Sequence, residues 1–307
     1  MTARCLRPTS LVVLVASIVF LWTSCLHAGQ QPLNIVVTIP VLKDFAEQIG
    51  GTHVRVTSLL HGYENEHTYS PKPSDLIAVR NARLLFQVGI GLEVWVASLV
   101  ENAGAGSLRV VTTSQGVTVM EDDQAHAGGH RAGERFKGNP HIWLDPDNAV
   151  IMIGTMRDAL IQADPSNDVH YRHNAAAYLA RLEKTSAELQ ALVEDLADRR
   201  FVAHHPAWPY LARRFRFAIV GTIQFQSASE PSARHLRHLI AMMKREGVKV
   251  VASEIQLSQK LPDLLSKETG ARVVVLTTLP GGLPGTETYL DMLRYNVLQL
   301  VNALKAA

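Results

Sequence analysis

Cysteine is almost absent from this 307-residue chain. Its two copies, Cys5 and Cys25, both lie in a stretch that reads as removable. Arg4 and Arg7 make a basic start, Leu11 to Trp22 form a short apolar run, and Ser24, Ala28 and Gly29 supply small residues for cleavage. Residues 1–28 are therefore expected to be a secretory signal peptide cut near Ala28. Cys25 invites a second reading as a lipid-anchored cysteine, although Trp22 stands where a lipobox usually has leucine. Once this segment is gone, disulfides, thiolate metal ligands and a cysteine nucleophile are all excluded. Any metal must then be held by His, Asp, Glu or water.

An excess of either charge is lacking as well. Removing residues 1–28 takes away two of the 30 basic side chains and none of the 28 acidic ones. The balance that results argues against a nucleic-acid partner. Beyond the leader, no apolar run is long enough to cross a membrane. The remaining length suits two domains of ordinary size.

What is present is alternation. The β-branched runs Leu33–Ile39, Val54–Ser58, Leu84–Val88 and Leu108–Thr112 read as strands. Helical patterns separate them near Pro40–Ile49, Pro73–Asn81 and Leu92–Glu101. The stretch Met120–Lys137, rich in Gly, Asp, Glu and His, breaks the pattern and reads as a polar surface loop. Asp145-Pro146 opens a helix to about Ala163. Asp164–Arg199 is the longest helical region, with Tyr171, Ala175, Tyr178, Leu182, Ala187, Leu189 and Leu192 at roughly helical spacing. Alternation then restarts. Strands are expected at Arg200–Ala203, Phe217–Val220, Val248–Ser253 and Val273–Leu276, and helices near Pro206–Phe215, Pro231–Glu246, Leu261–Thr269 and Tyr289–Leu304. The expectation is an α/β protein with two Rossmann-like lobes of parallel sheet, at 29–163 and 200–307, joined by a long rigid connecting helix at 164–199.

Histidine is plentiful, with thirteen copies. Three sit in separate loops beside stiff or bulky neighbours: His67 before Tyr69-Ser70-Pro71, His141 between Pro140 and Trp143, and His205 before Pro206 and Trp208. Proline fixes the backbone and aromatics exclude water, so such settings hold an imidazole in place for a metal. Strand-following loops in α/β sheets face a common crevice, and all three are expected to meet in the inter-lobe cleft. His53, His170, His173, His235 and His238 lack such context and read as solvated or capping residues. His61 is a candidate for an outer contact.

Several ordered segments make the chain resemble the periplasmic metal-binding component of zinc/manganese ABC importers, the cluster A-I solute-binding proteins. They are Asn34–Pro40, His67-Thr68-Tyr69-Ser70-Pro71-Lys72-Pro73-Ser74-Asp75, Asn139-Pro140-His141-Ile142-Trp143-Leu144-Asp145-Pro146, His205-Pro206-Ala207-Trp208-Pro209-Tyr210, Glu230-Pro231-Ser232 and Tyr289–Asn296. The resemblance implies that His67, His141 and His205 ligate the metal. It also implies a monomer that delivers the ion from the periplasm to an ABC transporter membrane permease. In this family a histidine as third ligand goes with zinc and a glutamate with manganese, which agrees with the ligand preferences of the two ions. Zn²⁺ is thus the expected cargo. A manganese-binding adhesin or a metal chaperone of the same fold is the alternative.

One departure stands out. The family supplies an aspartate from a loop of the C-terminal lobe, and Thr277 occupies that place in Val275–Pro280. Threonine is a poor zinc ligand, so a fourth must come from elsewhere. Glu66 is the first candidate, water or chloride the second, and Glu254 a more distant one. Glu254 and Glu230 read more simply as inter-lobe hydrogen-bond partners. His126 and His130 in the polar loop could collect zinc, or the loop could be a solvated insertion. A zinc hydrolase with Glu66 as base is the rival from another class, but HExxH and Gly-x-Ser-x-Gly are both missing.

Overall fold

The computed structural model describes residues 31–121, 138–225 and 230–306. The expected signal peptide and the His126/His130 segment lie outside these residues. Residues 33–307 form one compact unit. Among the described residues no helix is long and apolar enough to cross a membrane.

Among the described residues eight strands form two sheets, and every pairing is parallel. The first sheet contains β1 (Leu33–Val37), β2 (Val54–Ser58), β3 (Leu84–Gln87) and β4 (Arg109–Thr112), in the order β2-β1-β3-β4. The second contains β5 (Arg200–Ala203), β6 (Ala218–Thr222), β7 (Val250–Glu254) and β8 (Arg272–Leu276), in the order β6-β5-β7-β8. The two orders are identical. Each sheet reverses direction of growth beside its first strand, which opens a crevice beyond the strand ends there. The expected α/β class with two parallel-sheet lobes is therefore what the chain adopts.

The helices are α1 (Pro40–Gly50), α2 (Pro73–Arg80), α3 (Val96–Ala103), α4 (Pro146–Ala163), α5 (Asp168–Glu194), α6 (Pro209–Phe215), α7 (Ala233–Glu246), α8 (Lys260–Thr269) and α9 (Tyr289–Lys305). Proline opens α1, α2, α4 and α6, where its missing N–H costs no helical bond. Asp145 caps α4 by accepting from the Asp147 N–H at 2.9 Å. Alternation on the inner strands explains the second sheet's two faces. Phe201, Ala203, Val250 and Ala252 join the main core, while Val202 and Val251 face a smaller core with Leu239, Met243 and Leu265.

The long helix α5 is 27 residues, shorter than expected because a 3₁₀ turn at Pro165–Asn167 precedes it. It packs on α1, α4 and α9 and touches α6, so it reaches elements of both halves. Its buried stripe is Tyr171, Ala175, Tyr178, Leu182, Thr185, Ser186, Leu189 and Val193. Ala187 is exposed and Leu192 only half-buried. Strict steps of three and four from Leu182 lead to Ser186, Leu189 and Val193, and two expected positions fall off that line. Two other helices begin late. Trp95 precedes α3, and Trp208 precedes α6, where the sequence pattern had begun four and three residues earlier.

Candidate metal centre

Three loops converge above the carboxyl ends of the strands. The first follows β2. Asp75, buried at the start of α2, accepts from the Tyr69 hydroxyl and the Lys72 N–H, both at 2.7 Å. The Tyr69 ring also packs 5.1 Å from Trp95. This knot fixes the turn that carries Glu66 and His67, whose backbone N–H donates to Asn65 Oδ1 at 2.9 Å.

The second loop carries His141. Asn139 Oδ1 accepts from the His141 backbone N–H at 3.0 Å and lies 2.8 Å from its Nδ1. Asn139 is itself held by the Tyr210 hydroxyl, donating to its carbonyl at 2.9 Å, and by its own amide, donating to the Pro206 carbonyl at 2.6 Å. With Nδ1–H committed to Asn139, the other ring nitrogen keeps a free lone pair. The third loop begins at His204, straight after β5, and presents His205. Its Nδ1 lies 2.6 Å from Glu254 Oε2.

These constraints bring three imidazole nitrogens together. His141 Nε2 is 3.0 Å from His67 Nε2 and 3.4 Å from His205 Nε2. One ligand atom from each of the three lies within 4.8 Å of the others. A tetrahedral zinc shell with bonds of ~2.0–2.1 Å sets its ligand atoms about 3.3–3.4 Å apart, so the cluster has the right scale. Glu66 Oε1 lies 3.7 Å from His141 Nε2, is buried, and has no hydrogen-bond partner. A buried acceptor without a donor is costly. A cation bound here would be the missing partner, shared with the neighbouring imidazole nitrogens.

The protonation states suit an ion. Burial pushes His67 down to about 3, with the charge of His205 adding to it. Burial and then the nearby His67 and His205 hold His141 well below its ordinary value. Burial raises the Glu66 carboxyl, against the pull of His205. For His205 burial alone would lower the value, but the charge of Glu254, with Oε2 2.6 Å from Nδ1, outweighs that and the result is raised.

The structure thus gathers His67, His141, His205 and Glu66. It does not gather Thr277. That hydroxyl accepts from the Leu279 N–H and the Gln256 amide and donates to the Leu279 carbonyl at 2.7 Å, closing a turn. The threonine that faces Glu66 is Thr278, whose buried hydroxyl has no hydrogen-bond partner among the described residues. Glu254 is not an inter-lobe partner: it ends β7 and contacts His205 and Trp208 of the same sheet. Glu230 is exposed. His61 is exposed and paired with Glu64 at 3.2 Å, away from the cluster. His53 and His170 pack on each other with ring centroids 5.0 Å apart, and His235 faces the Thr222 carbonyl at 2.8 Å. Asn139 was not singled out from the sequence, though its place two residues before His141 is the signal that could have found it.

Two parallel-sheet lobes with a buried imidazole and carboxylate cluster at their strand ends define a solute-binding protein for a metal cation. Residues 35–303 match the family model described as zinc-uptake complex component A, periplasmic, and the chain belongs to that family. It is 28% identical to the iron-binding protein YfeA of Yersinia pestis, over 95% of this chain and 94% of that one. It is also 28% identical to the high-affinity zinc uptake system protein ZnuA of Bacillus subtilis, over 89% of this chain and 88% of that one. A crystal structure of ZnuA superposes with a TM-score of 0.78 at 31% identity, covering 89% of this chain and 99% of the other. The chain is therefore a non-enzymatic, extracytoplasmic metal-binding component of ion transport, and the hydrolase alternative falls.

Proposed function

We propose that this protein captures Zn²⁺ with His67, His141, His205 and Glu66 and delivers it to an ABC-type permease. The observation that carries the reading is the convergence of three Nε2 atoms beside the partnerless Glu66 Oε1. Three nitrogen donors and one oxygen favour zinc over manganese, which prefers harder oxygen-rich shells. One relative is named for iron and another for zinc, so ligand chemistry rather than kinship selects the ion here. All four side chains come from one chain, and a monomer suffices for binding. The two lobes, 29–163 and 200–307, enclose the ion, and α5 (Asp168–Glu194), within the 164–199 connector, limits their relative motion. The protein works in the periplasm after removal of residues 1–28.

The test is metal content and zinc titration of the protein, wild type against His205→Ala and Glu66→Ala. One tightly bound zinc is expected, largely lost in His205→Ala and weakened in Glu66→Ala. A wild type that prefers manganese, or a His205→Ala variant that binds zinc normally, would remove this reading.

A further inference from the structure

Glu254 closes β7, and His205 follows β5, the strand beside it. This adjacency is the point where the second sheet reverses its direction of growth. The Glu254 side chain is 1% exposed. Its Oε2 lies 2.6 Å from His205 Nδ1, while its Oε1 accepts from Trp208 Nε1 at 2.9 Å and from the His205 backbone N–H at 3.4 Å. Both hydrogen bonds to the carboxylate come from N–H donors on Oε1, so that oxygen is held as an acceptor, and Oε2 is left to face His205 Nδ1. With Nδ1 turned to Glu254, the remaining His205 nitrogen is the one that lies 3.4 Å from His141 Nε2.

The three rings are not equivalent. His141 has the neutral Asn139 amide behind it, whereas His205 has a carboxylate. Charge explains why one carboxylate behind a ring matters. A divalent cation held by three neutral imidazoles and Glu66 leaves one positive charge uncompensated in a buried site, which is costly. Glu254 brings the total to zero without touching the ion.

We propose that Glu254 is a positioning and charge-balancing residue for the bound cation. Through His205 Nδ1 it fixes the tautomer that aims Nε2 at the ion, and it supplies the second negative charge of the centre. This inference rests on the His67–His141–His205 reading of the site.

The experiment is zinc titration of wild type, Glu254→Gln, Glu254→Asp, Trp208→Phe and His205→Ala, with ¹⁵N-edited spectra of the imidazoles in the zinc-loaded protein. Glu254→Gln keeps the shape and removes the charge, and a loss of about 10–100-fold in affinity is expected. Glu254→Asp keeps the charge and recovers part of it. In wild type the His205 Nδ1 proton resonates far downfield, as a proton held by a carboxylate does, and it moves upfield in Glu254→Gln. Trp208→Phe removes one donor to Oε1 and leaves the carboxylate charge in place, so a smaller loss of affinity than in Glu254→Gln is expected. Affinity unchanged in Glu254→Gln overturns the proposal. So does a loss in Trp208→Phe that matches Glu254→Gln, because Glu254 would then serve only to anchor Trp208. If Glu254→Gln does not fold, the wild-type spectrum decides: an Nδ1 proton that is not deshielded overturns the proposal. Zinc binding that survives His205→Ala sinks the site itself. Loss there with a normal Glu254→Gln sinks only the role of Glu254.

Discussion

The carbonyl oxygen of Gly62 lies 2.8 Å from where a Cβ on Gly282 would have to sit. Gly62, at φ +103°, belongs to the loop that carries Glu66 and His67, and Gly282 to the turn after β8. The Gln256 amide donates to the same Gly62 carbonyl at 2.7 Å and to Thr277 Oγ1 at 2.8 Å. Backbone against backbone therefore sets the height of the ligand loop above the second sheet. A Gly282→Ala side chain would also meet the Thr277 hydroxyl. It should lift the loop, weaken zinc binding by about tenfold, since small misplacements of a site are costly, and lower stability by about 1–3 kcal/mol. Calorimetric titration and melting curves read both. Normal affinity in Gly282→Ala would show that the loop is held by something else.

Glu66 should cost the metal-free protein stability. Its carboxyl is buried and its affinity for a proton is raised by that burial. Between the ordinary carboxylate value and the raised folded value, the native state binds more protons than the unfolded one. Stability contributed by this group therefore falls as pH rises through that window. Glu66→Gln removes the penalty. The metal-free variant is expected to be more stable than wild type at neutral pH by about 1–3 kcal/mol, and the gap should close in acid. Its zinc affinity should drop at the same time. A metal-free variant that melts below wild type at pH 7 would contradict this.

Acid should release zinc chiefly by way of His205. His67 and His141 are both depressed by burial, so they present free lone pairs throughout the physiological range. His205 is raised by Glu254, and its proton must leave before Nε2 can bind. Affinity is thus expected to fall as pH drops, through the protons that His205 and the buried Glu66 carboxyl take up. Titrations in buffers of different ionisation enthalpy count the protons released. A release that His205 and Glu66 alone can supply fits; more than two protons per zinc would mean that His67 or His141 titrates as well.

Trp143 ties the second ligand loop to the turn after β8. Its fully buried indole donates Nε1–H to the Thr278 carbonyl at 2.7 Å. Trp143→Phe leaves that carbonyl without its donor, at a cost of about 1–3 kcal/mol, and loosens His141, whose ring lies 5.4 Å from the indole. Thermal melting should show the drop, with a smaller loss of zinc affinity than in His205→Ala.

Much of this was readable from residues alone because the relevant signals are local. β-branched runs and Pro-initiated helices marked both sheets, and imidazoles near proline and an aromatic marked the three rings that the fold brings together. Sequence was weakest where geometry is non-local. Thr277 and Thr278 are neighbours with the same side chain, and only the turn closed by the Thr277 hydroxyl decides which of them faces Glu66. Glu254 is separated from His205 by 49 residues, and strand pairing alone brings them together. Ala187 failed as a core position because spacing near 3.6 residues per turn tolerates neighbours of the true stripe.

The last helix has a bearing on how the chain is made. The Tyr289 N–H at its start donates to Asp44 Oδ2 across 245 residues, and the Tyr289 ring lies 4.9 Å edge-on to Phe45. The wall of the first half is thus synthesised 245 residues after the helix it covers. A nascent chain stalled before residue 289 would expose Phe45 and its surroundings as an open apolar face, ready for a holdase or for self-association. Completion of the first-formed half, and with it commitment to the native state, waits until Tyr289–Lys305 has been made.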